Sequence, residues 1–238
     1  MVDKINVDEF DLIIFDMDGV ILNIFDAIKQ ATLDMLEKYN INAKYEDILS
    51  EMALLIEKLQ AIPIPKIVLN AKELLQVSFI EEETVLKKLQ IAAYMYSQFK
   101  KYKVDSSIYP GIERIIEYIN ASKKPIAMLT NNKKNYALES LKKFHLDQYF
   151  DQIIGFNEAG KLKPEPDGLL KLIEHYSVKD PQRVLFIGDM VTDCQAADGA
   201  KVKVLGIASG LCKYDDLKRE NPDYLVNDVA EFGRILGI

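Results

Sequence analysis

Asp16 and Asp18 stand two residues apart at the end of an apolar run, Leu12-Ile13-Ile14-Phe15, with Gly19 directly after them. An apolar run of that length bounded by acids predicts a short buried strand. Side chains alternate along a strand, so residues 16 and 18 project to the same side of the sheet. Two carboxylates gathered at the edge of a low-dielectric core repel each other and lose hydration, and a cation between them offsets both costs. Oxygen ligands of this kind suit a hard divalent ion such as Mg²⁺. Gly19 lets the chain leave the strand by a turn that a residue bearing Cβ resists. Taken alone, residues 15–19 read equally well as a polar strand end closed by an Asp-Gly turn.

Ligands of parallel α/β sheets bind at the carboxyl ends of strands, so the residues after each further apolar run matter. Thr130-Asn131-Asn132 follow Ile126-Ala127-Met128-Leu129, and the loop with Lys161 and Lys163-Pro164-Glu165-Pro166 follows a run at Gln152–Gly155. Gly188-Asp189 and then Asp193 follow Val184-Leu185-Phe186-Ile187. Successive strand ends thus offer carboxylates, a hydroxyl, an ammonium and more carboxylates. Each residue has a plainer role when isolated: Thr130 and its Asn neighbours turn the chain, Lys163 is a solvated loop lysine, and Asp193 favours a helix start. Met17 and Cys194 are assigned to packing, and His145 and His175 to helix surfaces or boundaries.

The elements that must position these residues alternate. Helices are expected at Ile112–Ile119, Lys133–His145, Asp167–Tyr176 and Asp193–Ala200, with one more at the C-terminus. Strands are expected at residues 12–15, 126–129, 152–155, 184–187 and 204–208, with a short edge strand at Tyr224–Val226. Strand–helix alternation with near-continuous apolar strands predicts a doubly wound parallel sheet covered on both faces, a Rossmann-like α/β core. No glycine occurs between Gly19 and Gly111, and the apolar spacing there is helical. The stripes are Phe25, Ile28, Thr32, Met35 and Tyr39, then Ile48, Met52, Leu55 and Leu59, then Val85, Leu89, Ala92, Tyr96 and Phe99. Ala61-Ile62-Pro63-Ile64-Pro65 interrupts the block, and a shorter helix over Lys66–Val77 is expected after it. The core is therefore assigned to residues 1–19 and 106–238, and an inserted all-helical domain to residues 20–105.

Composition narrows the function class. The chain has 238 residues, 49% of them hydrophobic and 28% charged, as in an ordinary globular protein. Its 30 Lys and Arg against 37 Asp and Glu give a formal charge of −7, which argues against nucleic acid as a partner. An anionic small substrate remains compatible, because a local site can be positive on an acidic protein. The acidic start does not read as a signal peptide, and no run approaches the length of a membrane span. Two cysteines and two histidines are too few for a disulfide framework or a His-rich metal site. Reduced thiols and a cytoplasmic location are the simplest expectation.

In order and spacing, four segments resemble the motifs of the haloacid dehalogenase superfamily of aspartyl-phosphate phosphohydrolases. They are Asp16-Met17-Asp18-Gly19-Val20, Leu129-Thr130-Asn131, Lys163-Pro164-Glu165-Pro166 and Gly188-Asp189-Met190-Val191-Thr192-Asp193. The insertion after the first motif resembles the helical-cap subgroup, in the phosphoglycolate phosphatase and β-phosphoglucomutase branch. The resemblance implies Asp16 as nucleophile, Asp18 as general acid and base, and Lys163 as a catalytic and phosphate-binding charge. It implies phosphate contacts from Thr130 and Asn131, and Mg²⁺ held by Asp16, Asp18 and Asp189, with Asp193 as a ligand or supporting partner. The implied activity is hydrolysis of a small phosphorylated metabolite by a monomer or homodimer. The alternatives are a β-phosphoglucomutase-like mutase and, more remotely, a non-enzymatic phosphate-binding or phospho-signalling protein. Where the branch commonly carries an acid and Ser after the first motif, this chain has Asn23 and Ile24, and its insertion has no Arg.

Overall fold

The computed structural model describes residues 4–61, 78–209 and 212–238. The chain divides into two compact units, Met1–Asn23 with Ile108–Ile238, and Ile24–Ser107. These junctions lie slightly beyond the expected 19/20 and 105/106, for a local reason. The turn after the first strand runs on to Leu22, which bridges Ile108. Tyr109 N then donates to Ile21 O at 2.9 Å. Both chain crossings are therefore tied into the sheet unit by backbone hydrogen bonds.

In the first unit, six strands form one sheet in the order β3-β2-β1-β4-β5-β6, every pairing parallel. The strands are β1 (Leu12–Phe15), β2 (Ile126–Leu129), β3 (Gln152–Ile154), β4 (Val184–Gly188), β5 (Lys203–Ile207) and β6 (Tyr224–Val226). All residues of β1, β2 and β4 are buried, as expected for central strands covered on both faces. β1 pairs with β2 through Ile13–Ile126 and with β4 through Leu12–Val184. The chain winds outward from β1 to β3, then returns to β4 on the other side. The order reverses beside β1, and such a switch point opens a crevice at the carboxyl ends of the strands.

The flanking helices follow the apolar periodicity closely. Ile112, Ile115, Ile116 and Ile119 are the buried face of the helix Ile112–Ala121. Further helices span Lys134–Lys143, Asp167–His175, Val191–Ala200 and Val229–Leu236. Short helices also form at Phe156–Ala159 and Tyr214–Arg219, each too brief to show a period in the sequence.

The second unit holds helices Phe25–Tyr39, Tyr45–Ala61 and Val85–Lys103. Thr84 caps the last, its hydroxyl accepting from Lys87 N, and Lys100, Lys101 and Lys103 lie in its final turn. Its buried face is Ile91, Ala92, Met95 and Phe99, whereas Val85 and Leu86 are exposed. Of the expected stripe, Ala92 and Phe99 are buried, whereas Leu89 and Tyr96 are half-buried and Val85 is exposed, so the buried face turns toward Ile91 and Met95. Apolar side chains occupy more than one face of that helix, so the period alone does not choose between them. The expected helix over Lys66–Val77 and the proline break before it lie outside the described residues.

Candidate active site

Each strand end at the switch point delivers the residue type expected there. Asp16 follows β1 and extends its pairing with β4, Asp16 N donating to Ile187 O at 2.8 Å. Thr130 follows β2 and donates its N–H to Ile154 O at 3.0 Å. Asp189 follows β4. Lys163 comes from the loop between Phe156–Ala159 and Asp167–His175, well beyond the end of β3.

A buried ammonium sits at the centre. Lys163 Nζ lies 3.0 Å from Asp16 Oδ1 and 2.5 Å from Asp193 Oδ1, and all three side chains are almost wholly excluded from solvent. Asp193 Oδ2 accepts from the N–H groups of Asp189 and Met190, both at 3.0 Å. Asp193 therefore caps the helix Val191–Ala200 with one oxygen and holds the lysine with the other. Asn131 spans the Lys163 backbone in both directions: Lys163 N donates to Oδ1 at 3.1 Å, and Nδ2 donates to Lys163 O at 3.3 Å. Its amide secures the lysine loop.

Two glycines make the acid cluster possible. A Cβ on Gly19, where φ is +82°, would lie 2.0 Å from Asp189 Oδ2. One on Gly188 would lie 2.3 Å from Asp193 Cβ and 2.5 Å from its Oδ2. Gly19→Ala is expected to lose stability, with backbone strain alone contributing on the order of 1–3 kcal/mol before Asp189 is displaced. An unchanged denaturation midpoint for this variant would count against such packing.

Asp16, Asp189 and Asp193 each offer a carboxylate oxygen within 4.8 Å of the others. Burial pushes the Asp16 carboxyl up to about 8, against the lowering influence of Lys163, and the Asp193 charge raises it further. Among the described residues, Asp18 adds a fourth carboxyl whose charge acts on Asp16, against the one ammonium of Lys163. The donor set is all oxygen, buried and in excess of its one counter-charge, so it fits a hard divalent cation.

Asp18, half-buried, stands on the turn after β1, and its Oδ2 accepts from Asn132 Nδ2 at 2.8 Å. Thr130 is 2% exposed. Its Oγ1 accepts from Asn132 N at 3.1 Å, which leaves the hydroxyl proton to be donated elsewhere. Glu165 of the third motif is exposed beside Lys161, whereas Asp16, Asp18, Thr130, Asn131, Lys163, Asp189 and Asp193 lie in one cluster at the switch point. Asn132 does too, although its position in the sequence suggests only a turn residue. The available signal was its place in the strand-end run Thr130-Asn131-Asn132. Met17 and Cys194 are buried in packing, burial lifting the Cys194 thiol to about 12, and His145 and His175 are exposed. Among the described residues, no helix is long and apolar enough to cross a membrane.

Residues 13–207 match the family model described as haloacid dehalogenase-like hydrolase. A phosphoglycolate phosphatase of Haemophilus influenzae is 25% identical over 228 residues, 96% of this chain and 99% of that one. A Caldanaerobacter subterraneus protein provisionally named pyrophosphatase PpaX is 30% identical over 132 residues, 55% of this chain and 59% of its own length. The crystal structure of a protein from Haemophilus somnus, described as a predicted phosphoglycolate phosphatase, superposes with a TM-score of 0.69. That likeness, at 23% identity over 95% of this chain and 98% of that one, is one of fold. Because the family match runs from β1 through β5 and takes in all four strand-end motifs, the chain belongs to the haloacid dehalogenase-like hydrolases.

Proposed function

We propose that this hydrolase is a magnesium-dependent phosphatase acting on a small phosphorylated metabolite of the phosphoglycolate kind, through a phosphoryl group carried on Asp16. The observation that carries the proposal is the buried Lys163 ammonium held between Asp16 and Asp193 beside Asp189. A lysine fixed in this way presents positive charge where a phosphate would meet Asp16. The relatives named as phosphatases support the same substrate class.

In the first step an Asp16 carboxylate oxygen forms a bond to phosphorus as the ester P–O bond breaks, and Asp18 gives its proton to the leaving oxygen. In the second, Asp18 takes a proton from water as the water oxygen bonds to phosphorus, and the Asp16–phosphorus bond breaks to restore the carboxylate. Thr130 donates its hydroxyl proton, and Asn131 its backbone N–H, to the phosphate oxygens. Lys163 balances charge on those oxygens and orients Asp16. Asp16, Asp189 and the backbone carbonyl of Asp18 are the proposed magnesium ligands, with Asp193 holding the lysine and loop around them. Magnesium, when bound, neutralises phosphate oxygens and so reduces their repulsion by Asp16. The helical unit Ile24–Ser107 is assigned the role of a cap that selects the substrate, supported by its insertion in the chain soon after Gly19.

Phosphate release should be measured over 2-phosphoglycolate, other small monoesters and pyrophosphate, with Mg²⁺ and with chelator. Release from at least one monoester, dependent on Mg²⁺, is expected. Interconversion of sugar phosphates without release would point to a mutase, and no turnover of any kind would sink the enzymatic proposal.

A further inference from the structure

We propose that Asn132 is a positioning residue for proton transfer, its amide fixing the Asp18 carboxyl so that Oδ1 is the oxygen that exchanges protons with substrate and water. This role depends on the acid–base function proposed above for Asp18. Asn132 Nδ2 donates to Asp18 Oδ2 at 2.8 Å. The other face of the amide would set oxygen against carboxylate oxygen, acceptor against acceptor, so the nitrogen is the end that fits. A carboxyl oxygen that receives an amide N–H serves as the acceptor of the pair, and the acid proton belongs on its neighbour. Oδ1–H then gives its proton to the ester oxygen as that oxygen takes the electron pair of the breaking P–O bond. Oδ1 regains a proton from the water that bonds to phosphorus in the second step.

Asn132 is itself held for this task. Its N–H donates to Thr130 Oγ1 at 3.1 Å, and its Nδ2 lies 3.4 Å from the same oxygen. Its carbonyl accepts from Phe156 N at 2.7 Å. Gly155 permits that approach, because a Cβ there would lie 2.7 Å from Asn132 O and 2.4 Å from Lys134 N. The segment after β3 thus presses on the loop after β2, and that loop holds the side chain after β1. A turn asparagine with only a surface role would need none of these three restraints.

The test uses leaving groups. An alkyl phosphate needs a proton on its departing oxygen, whereas p-nitrophenolate departs without one, and kcat/KM reports the first phosphoryl transfer alone. Asn132→Ala is expected to lower kcat/KM about 10- to 100-fold on the alkyl monoester turned over fastest, and less than about 3-fold on p-nitrophenyl phosphate. The loss should fall on kcat more than on KM. Asp18→Asn should show the same selectivity more strongly, and adding Asn132→Ala to it should cost nothing further. Should Asn132→Ala fail to fold, Asn132→Asp keeps the size, reverses the donor, and is expected to fall at least as far on the alkyl ester. Circular dichroism checks the fold of each variant. An equal loss on both esters, no loss on either, or a further loss in the Asp18→Asn background would overturn the role of Asn132. If Asp18→Asn itself shows no leaving-group selectivity, the acid role of Asp18 fails, and the role of Asn132 with it.

Discussion

Asp16→Asn is expected to abolish turnover, by at least about 10⁴-fold, without weakening the metal-free protein. Removing the proposed nucleophile leaves only binding and electrostatics, which cannot carry phosphorus from one oxygen to another. The stability half of the expectation comes from burial, which lifts the Asp16 carboxyl to about 8 in the folded chain. A folded value above the unfolded one means that the folded state binds the extra proton. Stability at this site is therefore greatest below about pH 4 and is lost as pH rises through about 8. An asparagine has no such proton to lose. The variant should then melt no lower than wild type at pH 8 without metal, and its melting temperature should lack this decline with pH. Mg²⁺ should raise the wild-type melting temperature more at pH 8 than at pH 5, and raise the variant's little. Appreciable Mg²⁺-dependent turnover by purified Asp16→Asn would refute its assignment as nucleophile.

Lys163→Met should be equally inactive but unstable, and the contrast separates the two residues. The lysine touches both Asp16 and Asp193, and all three side chains are buried. Removing the one ammonium strands the buried Asp193 carboxylate beside the Asp16 carboxyl, a change that costs roughly 3–5 kcal/mol when a buried pair loses one partner. Denaturant titration of the metal-free protein reads that loss directly. Adding Asp193→Asn should restore part of the stability and none of the turnover, because it removes a stranded charge without replacing the lysine. A Lys163→Met variant as stable as wild type would mean that the ammonium does not hold the cluster together.

The parts of the fold that could be read from the sequence are those set by local periodicity. β1, β2 and β4 appear as unbroken apolar runs because both faces of each strand are covered, and the residue after each run falls at the switch point. Asp16, Thr130 and Asp189 were legible for that reason. The clamp between Asn131 and the Lys163 backbone was not, since it joins segments that meet only through the sheet order. The resemblance implies a phosphate contact from Asn131; its side-chain amide bonds to the lysine loop, so that proposed contact falls to its backbone N–H. Asn132 was hidden in the same way, its partner Asp18 lying on another strand end. In the helical unit the ambiguity was of a different kind. Between Val85 and Phe99, apolar residues crowd more than one face, and only tertiary packing selects Ile91, Ala92, Met95 and Phe99.

The strand order also sets when a nascent chain can become an enzyme. β1 is made first but lies at the centre of the sheet, bonded on one side to β2 and on the other to β4. Until Val184–Gly188 has been synthesised, one edge of β1 stays open and Asp16 has neither Asp189 nor Asp193 beside it. Lys163 arrives before the acid that shares it. Any chain stopped short of β4 carries the proposed nucleophile without the rest of the proposed site, so activity is expected only after the late strand slots in beside the earlier one. Long-range parallel pairings of this sort form slowly. Recovery of turnover on refolding should therefore follow docking of β4, rather than the earlier appearance of helix.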